Sequence, residues 1–132
     1  MFRAISHASP EDTVTIVKDA IAAEGMYLLC HIPASTNVAK IGIDAPFHEV
    51  LEVFHPQYAA RVWAEREDAG IAIPVRGHVY QSTDGTVHVD WQRPSVNLGH
   101  YPEPGLAAIG RELDPVFQRI VGAAAAESAP ST

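Results

Sequence analysis

Of the seven histidines in this sequence, His55 has the position best suited to ligand chemistry, because it directly precedes Pro56. Proline suits the first position of a helix, so Pro56 predicts a helix start with His55 at its N-terminal end. The positive end of a helix dipole disfavours the charged imidazolium, and neutral imidazole is the form that binds a transition metal or haem iron. His55 is therefore predicted either to ligate such a centre, walled by apolar Phe54 and Val75, or only to cap its helix.

Two arginines and a second histidine extend this candidate site. Arg76 and Arg93 are expected beside the pocket, where each pairs either with a ligand carboxylate such as a haem propionate or with a surface acid. His78 falls near Trp91 in a predicted hairpin, as a ligand or as a hydrogen-bonded core residue. The predicted cofactor is haem b, bound by six residues: His55, Phe54, Val75, Arg76, His78 and Arg93. A single transition metal ion bound by His55 or His31 is the second hypothesis.

Cys30 and His31 are adjacent in a predicted strand, where neighbouring side chains point to opposite faces. The two cannot form a nucleophile–base pair, and Cys30 is expected to be a small buried hydrophobe. His48 and His55 do not form a metalloprotease motif either, because that motif needs histidines four positions apart on a helix. We assign no catalytic residue.

Acidic residues outnumber basic ones by 16 to 9, which gives a net charge of −7. This balance repels a phosphate backbone and argues against nucleic-acid binding. The single cysteine excludes an internal disulfide, and the sequence lacks the apolar runs that predict a membrane span or a signal peptide. It also lacks Cys-x-x-Cys-His, P-loop and Gly-x-Ser-x-Gly motifs. We expect a cytoplasmic protein with a small-molecule or haem ligand, and no nucleic-acid or membrane partner.

The segments that must position these residues alternate between strands and helices. Ser9 and Pro10 begin the clearest helix, which Gly25 ends and which carries an apolar stripe of Val14, Val17 and Ile21. Further strands are predicted over residues 2–8, 26–32 and 47–54, a second helix over 56–70, and a last amphipathic helix from about 106 to 120.

Residues 71–92 are predicted to form a hairpin, because Asp84-Gly85 is a strong two-residue turn signal. With that turn, Gln81 pairs with His88 and His78 with Trp91. The core face would then carry His78, Tyr80, Ser82, Val87, Val89 and Trp91, and the outer face Gln81, Thr83, Thr86, His88 and Asp90. Ile71, Ile73 and Val75 have the opposite phase, so a bulge is expected near Pro74–Gly77.

The length of 132 residues fits one domain, which we place at residues 1–121, followed by a flexible tail over 122–132. Strands mixed with helices and one hairpin indicate the α+β class, as a two-layer sandwich with an open, mainly antiparallel sheet backed by helices. An open sheet exposes its edges, and a homodimer is expected for that reason.

The segment from about residue 25 to residue 94 resembles a bacterial family, domain of unknown function 302. The resemblance rests on five segments in order: Gly25-Met26-Tyr27-Leu28-Leu29, Phe47 to Pro56, Ala59-Ala60-Arg61, Gly70-Ile71-Ala72-Ile73-Pro74 and the hairpin with Asp84-Gly85. It implies a small α+β domain with an open antiparallel sheet. Members commonly carry cysteine-asparagine-proline and proline-cysteine where this chain has Phe54-His55-Pro56 and Pro74-Val75, so thiol chemistry is not transferred here.

Three functional hypotheses follow. The first is a ligand-binding protein that holds haem b, or a transition metal ion, through histidine. The second is a small enzyme that uses His55, His31 or Glu52 as an acid–base group. The third is an interaction module without chemistry, acting through a sheet edge or a helix face.

Overall fold

The computed structural model describes residues 1–127, which form one open sheet backed by helices. The strands are β1 (Phe2–Ser6), β2 (Tyr27–Ile32), β3 (His48–Phe54), β4 (Val75–Gln81) and β5 (Val87–Trp91). The helices are α1 (Pro10–Ala23), α2 (Ala34–Ala39), α3 (Pro56–Glu65), α4 (Pro94–Leu98) and α5 (Pro104–Glu127), with a 3-10 helix over Glu67–Ala72. Neighbouring strands are antiparallel in the order β1–β5–β4–β3–β2. The predicted α+β class and open antiparallel sheet are confirmed.

The core lies between the sheet and the long helices α1 and α5. The predicted stripe of α1 is buried, with Val14, Val17 and Ile21 exposed by only 6%, 0% and 2%. The sheet contributes Leu51, Val53, Val75, Val79, Val87, Val89 and Trp91, and α5 contributes Leu106, Ile109, Leu113, Phe117 and Ile120. Successive side chains of a strand point to opposite faces of the sheet, and these core residues share one face. The helices therefore cover that face and leave the other open.

The predicted start and end of α1 are confirmed. The Ser9 hydroxyl accepts a hydrogen bond from the backbone N–H of Asp12, and Gly25 has a φ of +71°. Helix α3 is shorter than expected: it ends at Glu65, and the 3-10 helix continues the segment to Ala72. Arg61 of α3 donates to both carboxylate oxygens of Glu112 in α5, at 3.0 and 2.8 Å, and so fixes α3 against α5.

The hairpin register differs from the prediction by one residue. Tyr80 pairs with His88, and Gly77 rather than His78 pairs with Trp91. The loop is longer than two residues, because the N–H of Ser82 donates to the carbonyl of Thr86 and closes a three-residue loop. The prediction placing His78, Tyr80 and Ser82 on the core face is therefore wrong. The expected bulge in β4 is also wrong, because Val75, Gly77 and Val79 share the core face without one.

The irregularity lies instead in β2, between Leu28 and Cys30. Leu28 pairs with Val53 of the core face, whereas Cys30 pairs with Glu52 on the open face. A bulge inserts one residue and reverses which face the next residues occupy. Cys30 is consequently exposed, so the prediction of a buried thiol is wrong.

Helix α5 continues to Glu127, and Ala124 is fully buried in the core. The prediction of a flexible tail from residue 122 is therefore wrong for residues 122–127, and the rest of that tail lies outside the described residues. Among residues 1–127, the helices do not combine the length and apolar character that crossing a bilayer requires.

Candidate functional site

An apolar groove lies between the bulge of β2, the end of β3, helix α3 and the segment that leads into β4. Its volume is about 360 Å³, and we call it the His55 groove. It is lined by Leu29, Phe54, His55, Pro56, Ala59, Trp63, Gly70, Ile73 and Pro74. His55 is the one ionisable side chain among these residues, so the groove offers apolar contact over nearly all of its wall.

The bulge in β2 and the short turn after α3 position the walls of this groove. Leu29 lies within the bulge, and its side chain is 54% exposed, whereas leucine is more often buried. Trp63 of α3 is also 54% exposed. Gly70 leaves room for the Trp63 indole, because a Cβ at that position would lie 3.1 Å from Trp63 Nε1.

His55 is the N-cap residue of α3. Its Nδ1 accepts a hydrogen bond of 3.1 Å from the backbone N–H of Gln57, and the Tyr27 ring lies 4.9 Å from its ring. An accepting Nδ1 is unprotonated, so the neutral ring carries its proton on Nε2. The helix cap therefore makes Nε2 a hydrogen-bond donor, which suits a carbonyl, carboxylate or sulfonate oxygen of a ligand.

A polar depression adjoins the groove, and Ile73 and Pro74 line both. Its volume is also about 360 Å³. Arg76 and Glu52 face each other in it, with Arg76 Nη2 3.9 Å from Glu52 Oε2. Arg76 keeps 55% of its side chain exposed, which leaves the guanidinium available to an anionic group.

The predicted cofactor residues fall in five different places. His55 and Phe54 line the groove, and Arg76 lines the adjoining depression. Val75 points into the core and is only 2% exposed, so it does not wall the groove. The two remaining residues lie elsewhere: His78 on the open face of the sheet, and Arg93 with its guanidinium 4.5 Å from the Phe2 ring centre.

His31 and His55 are not brought together. His31 pairs with Leu51, four residues before His55, which corresponds to roughly 13 Å along the strand. His31 Nε2 is held 2.5 Å from Glu49 Oε1. A single metal ion cannot bind both histidines at that separation.

The open face of the sheet carries an aromatic ladder that sequence reasoning missed. We call it the histidine ladder; it consists of His48 in β3, His78 and Tyr80 in β4, and His88 in β5. Neighbouring ring centres lie 4.5 to 5.7 Å apart. Burial lowers the pKa of His78, and His48 lowers it further, whereas Asp90 acts in the opposite direction. The alternation of Val75, Gly77 and Val79 was the signal that could have placed His78 and Tyr80 here.

The open antiparallel sheet, covered on one face by helices, makes this protein a small α+β domain, and an apolar groove lies at one end of it. The chain belongs to the family described as domain of unknown function DUF302, whose model matches residues 2–126. It resembles the crystal structure of an uncharacterized conserved DUF302 protein from Bacillus stearothermophilus, with a TM-score of 0.80 and 22% identity over 97% of each chain. No functionally curated protein matches the sequence.

Proposed function

We propose that this protein binds a small, largely apolar molecule in the His55 groove. The observation that carries the proposal is a wall of apolar side chains interrupted by one imidazole, which matches the usual composition of a ligand site. Leu29 and Trp63 are both 54% exposed beside it, and a ligand that covered them would gain apolar contact. The Nε2–H of His55 would donate to an oxygen of that ligand.

An anionic group on the ligand is part of the proposal. Arg76 lines the adjoining depression, which shares Ile73 and Pro74 with the groove. A carboxylate that extends past this shared wall would come within reach of the guanidinium, and charge-assisted hydrogen bonds of this kind are stronger than neutral ones. The ligand class is therefore an apolar molecule with a carboxylate or sulfonate.

Haem b is the specific candidate within this class, since it is flat, apolar and carries two propionates. Its iron would require Nε2 of His55 as a ligand, and a neutral imidazole bound through Nε2 carries its proton on Nδ1. Nδ1 would then have to release the N–H of Gln57, at a cost of about 1 kcal/mol for a lost cap. Haem ligation by His55 and the present cap are therefore mutually exclusive states of one side chain.

Titration with 1-anilinonaphthalene-8-sulfonate tests the groove. We expect saturable binding of one dye per chain, with a change in Trp63 emission that buried Trp91 does not share. Ala59→Leu fills the groove and should weaken binding at least tenfold. Ala60→Leu is the matched control, because Ala60 is the exposed neighbour outside the groove. Equal binding by the two leucine variants would refute the groove as the site.

Titration with haemin separates the haem hypothesis from the broader one. Ligation predicts a Soret band that shifts in His55→Asn, because asparagine keeps a cap but has no imidazole. Saturable dye binding together with no saturable haemin binding would reject haem and retain the groove.

The compartment and the oligomeric state also belong to the proposal. The one cysteine, Cys30, is an exposed free thiol, which fits the reducing cytoplasm. Strands β1 and β2 form the two edges of the sheet, and a homodimer would protect one of them. Sedimentation equilibrium of the purified chain distinguishes a monomer from a dimer.

A further inference from the structure

The histidine ladder crosses the open face of the sheet, on the side opposite the core. His48 lies opposite Tyr80, and His78 lies opposite Val50, so the two histidines are diagonal neighbours across the β3–β4 ladder. Diagonal partners are within reach of long side chains. Both rings are half-buried, and His48 Nδ1 lies 3.0 Å from His78 Nε2.

This distance fits two ligands of one metal ion. An imidazole nitrogen binds a late transition metal at about 2.0–2.1 Å, so two nitrogens at 90–110° about the ion lie about 2.9–3.4 Å apart. The 3.0 Å between His48 Nδ1 and His78 Nε2 falls inside that interval. An ion could therefore replace the shared proton with the two nitrogens at their present separation.

We propose that His48 and His78 bind a divalent late transition metal ion, Cu²⁺, Ni²⁺ or Zn²⁺, on the open face of the sheet. Imidazole nitrogen is a preferred ligand of these ions. Among residues 1–127, no three His, Cys, Asp or Glu side chains form a group able to hold a metal, so water completes the coordination. The site therefore keeps exchangeable positions.

One carboxylate, that of Asp90, adjoins the histidine pair on the open face. Asp90 pairs with His78 across the β4–β5 ladder, and its side chain is only 13% exposed. Tyr80 donates to Asp90 Oδ2 at 3.5 Å. Arg3 Nε lies 3.6 Å from the other oxygen, Asp90 Oδ1, and 68% of the Arg3 side chain is exposed. The carboxylate next to His78 is therefore shared with one exposed guanidinium and adds negative charge near the ion without being one of its ligands.

Cu²⁺ titration in the presence of glycine as a competing chelator tests the site. We expect the full chain to bind one Cu²⁺, with nitrogen hyperfine structure from two imidazoles in its electron paramagnetic resonance spectrum. His48→Asn and His78→Asn should each weaken binding at least tenfold and leave one coordinated imidazole. His7→Asn is the matched control, because His7 is exposed and outside the ladder.

Two results would overturn the proposal: absence of saturable one-to-one binding by the parent, or parental affinity in both ladder variants. Far-ultraviolet circular dichroism of each variant establishes that it is folded before affinity is compared. If His48→Asn unfolds, His48→Gln provides the same loss of imidazole. The dye titration of the His55 groove is independent of this site and should be unchanged in both variants.

Discussion

Gly77 lies directly opposite Trp91 in the β4–β5 ladder, and the fully buried indole occupies the space that a side chain at position 77 would need. The contact is steric, because the φ of Gly77 is not positive. The ring also packs against Phe117 of α5, with centroids 5.9 Å apart, so it has little freedom to move away. A glycine in the middle of a strand, usually unfavourable, is here required by its partner.

Gly77→Ala should therefore destabilise the protein by about 1–3 kcal/mol, the usual cost of overpacking a core. Urea unfolding measures the difference. Gly122→Ala in α5 is the matched control: nothing lies within 4 Å of a Cβ there, and alanine should gain up to about 1 kcal/mol through helix propensity. A Gly77→Ala protein as stable as the parent would mean that Trp91 does not fill this space.

The strands of the hairpin were predicted, but His78 rather than Gly77 was expected opposite Trp91, so the site residues of β4 were misplaced. Alternation identified Val87, Val89 and Trp91 as a core face, which is confirmed. The register of β4 depended on the loop, and Asp84-Gly85 is compatible with either a two-residue or a three-residue turn. A two-residue type I′ turn needs positive φ at both positions, and only Gly85 has it, at +87°.

A shift of one residue moves every side chain of a strand to the other face. His78 and Tyr80 were consequently expected in the core, and the ladder that they form with His48 and His88 was missed although the alternation of Val75, Gly77 and Val79 indicated it. The helix starts were predictable because Ser9-Pro10 and His55-Pro56 are local signals. The bulge at Leu29 and the groove beside it depend on packing between segments far apart in sequence, and no local pattern encodes them.

Gly85→Val should weaken the hairpin. Gly85 has a φ of +87°, a conformation that a β-branched residue adopts only with strain. We expect a loss of about 1–3 kcal/mol, measured as a lower urea midpoint. Gly85→Asn should lose less, because asparagine tolerates the left-handed region better than other residues with a side chain. Equal losses in the two variants would contradict conformational strain as the cause.

The same loop predicts a specific acid sensitivity. Two hydrogen bonds lower the pKa of Asp84 from 3.8 to about 2: the larger effect comes from the Ser82 hydroxyl and the smaller from the N–H of Thr86. A carboxyl whose pKa is lower in the folded state stabilises the fold above its unfolded value and loses that contribution as the pH falls through its folded value. The contribution of Asp84 should therefore be complete above about pH 4 and fade toward pH 2.

Asp84→Asn provides the comparison, because asparagine supports the same turn but does not titrate in this range. Urea unfolding of both proteins between pH 5 and pH 2 should show a stability difference that shrinks as the pH falls. Other carboxyls titrate in both proteins and cancel in the difference. A difference that stays constant across this interval would show that the Asp84 carboxylate does not stabilise the loop.

His55 allows its structural and ligand-binding roles to be measured separately. His55→Ala removes the acceptor of the Gln57 N–H and should lower the free energy of unfolding by about 1 kcal/mol. His55→Asn replaces one N-cap acceptor with another, so its stability should match or slightly exceed that of the parent. Urea unfolding without ligand measures both differences. If His55→Asn is destabilised as much as His55→Ala, the imidazole stabilises the fold by contacts other than the cap, such as the Tyr27 ring 4.9 Å away. If neither variant is destabilised, the cap contributes nothing measurable, and the argument that it opposes iron ligation fails with it.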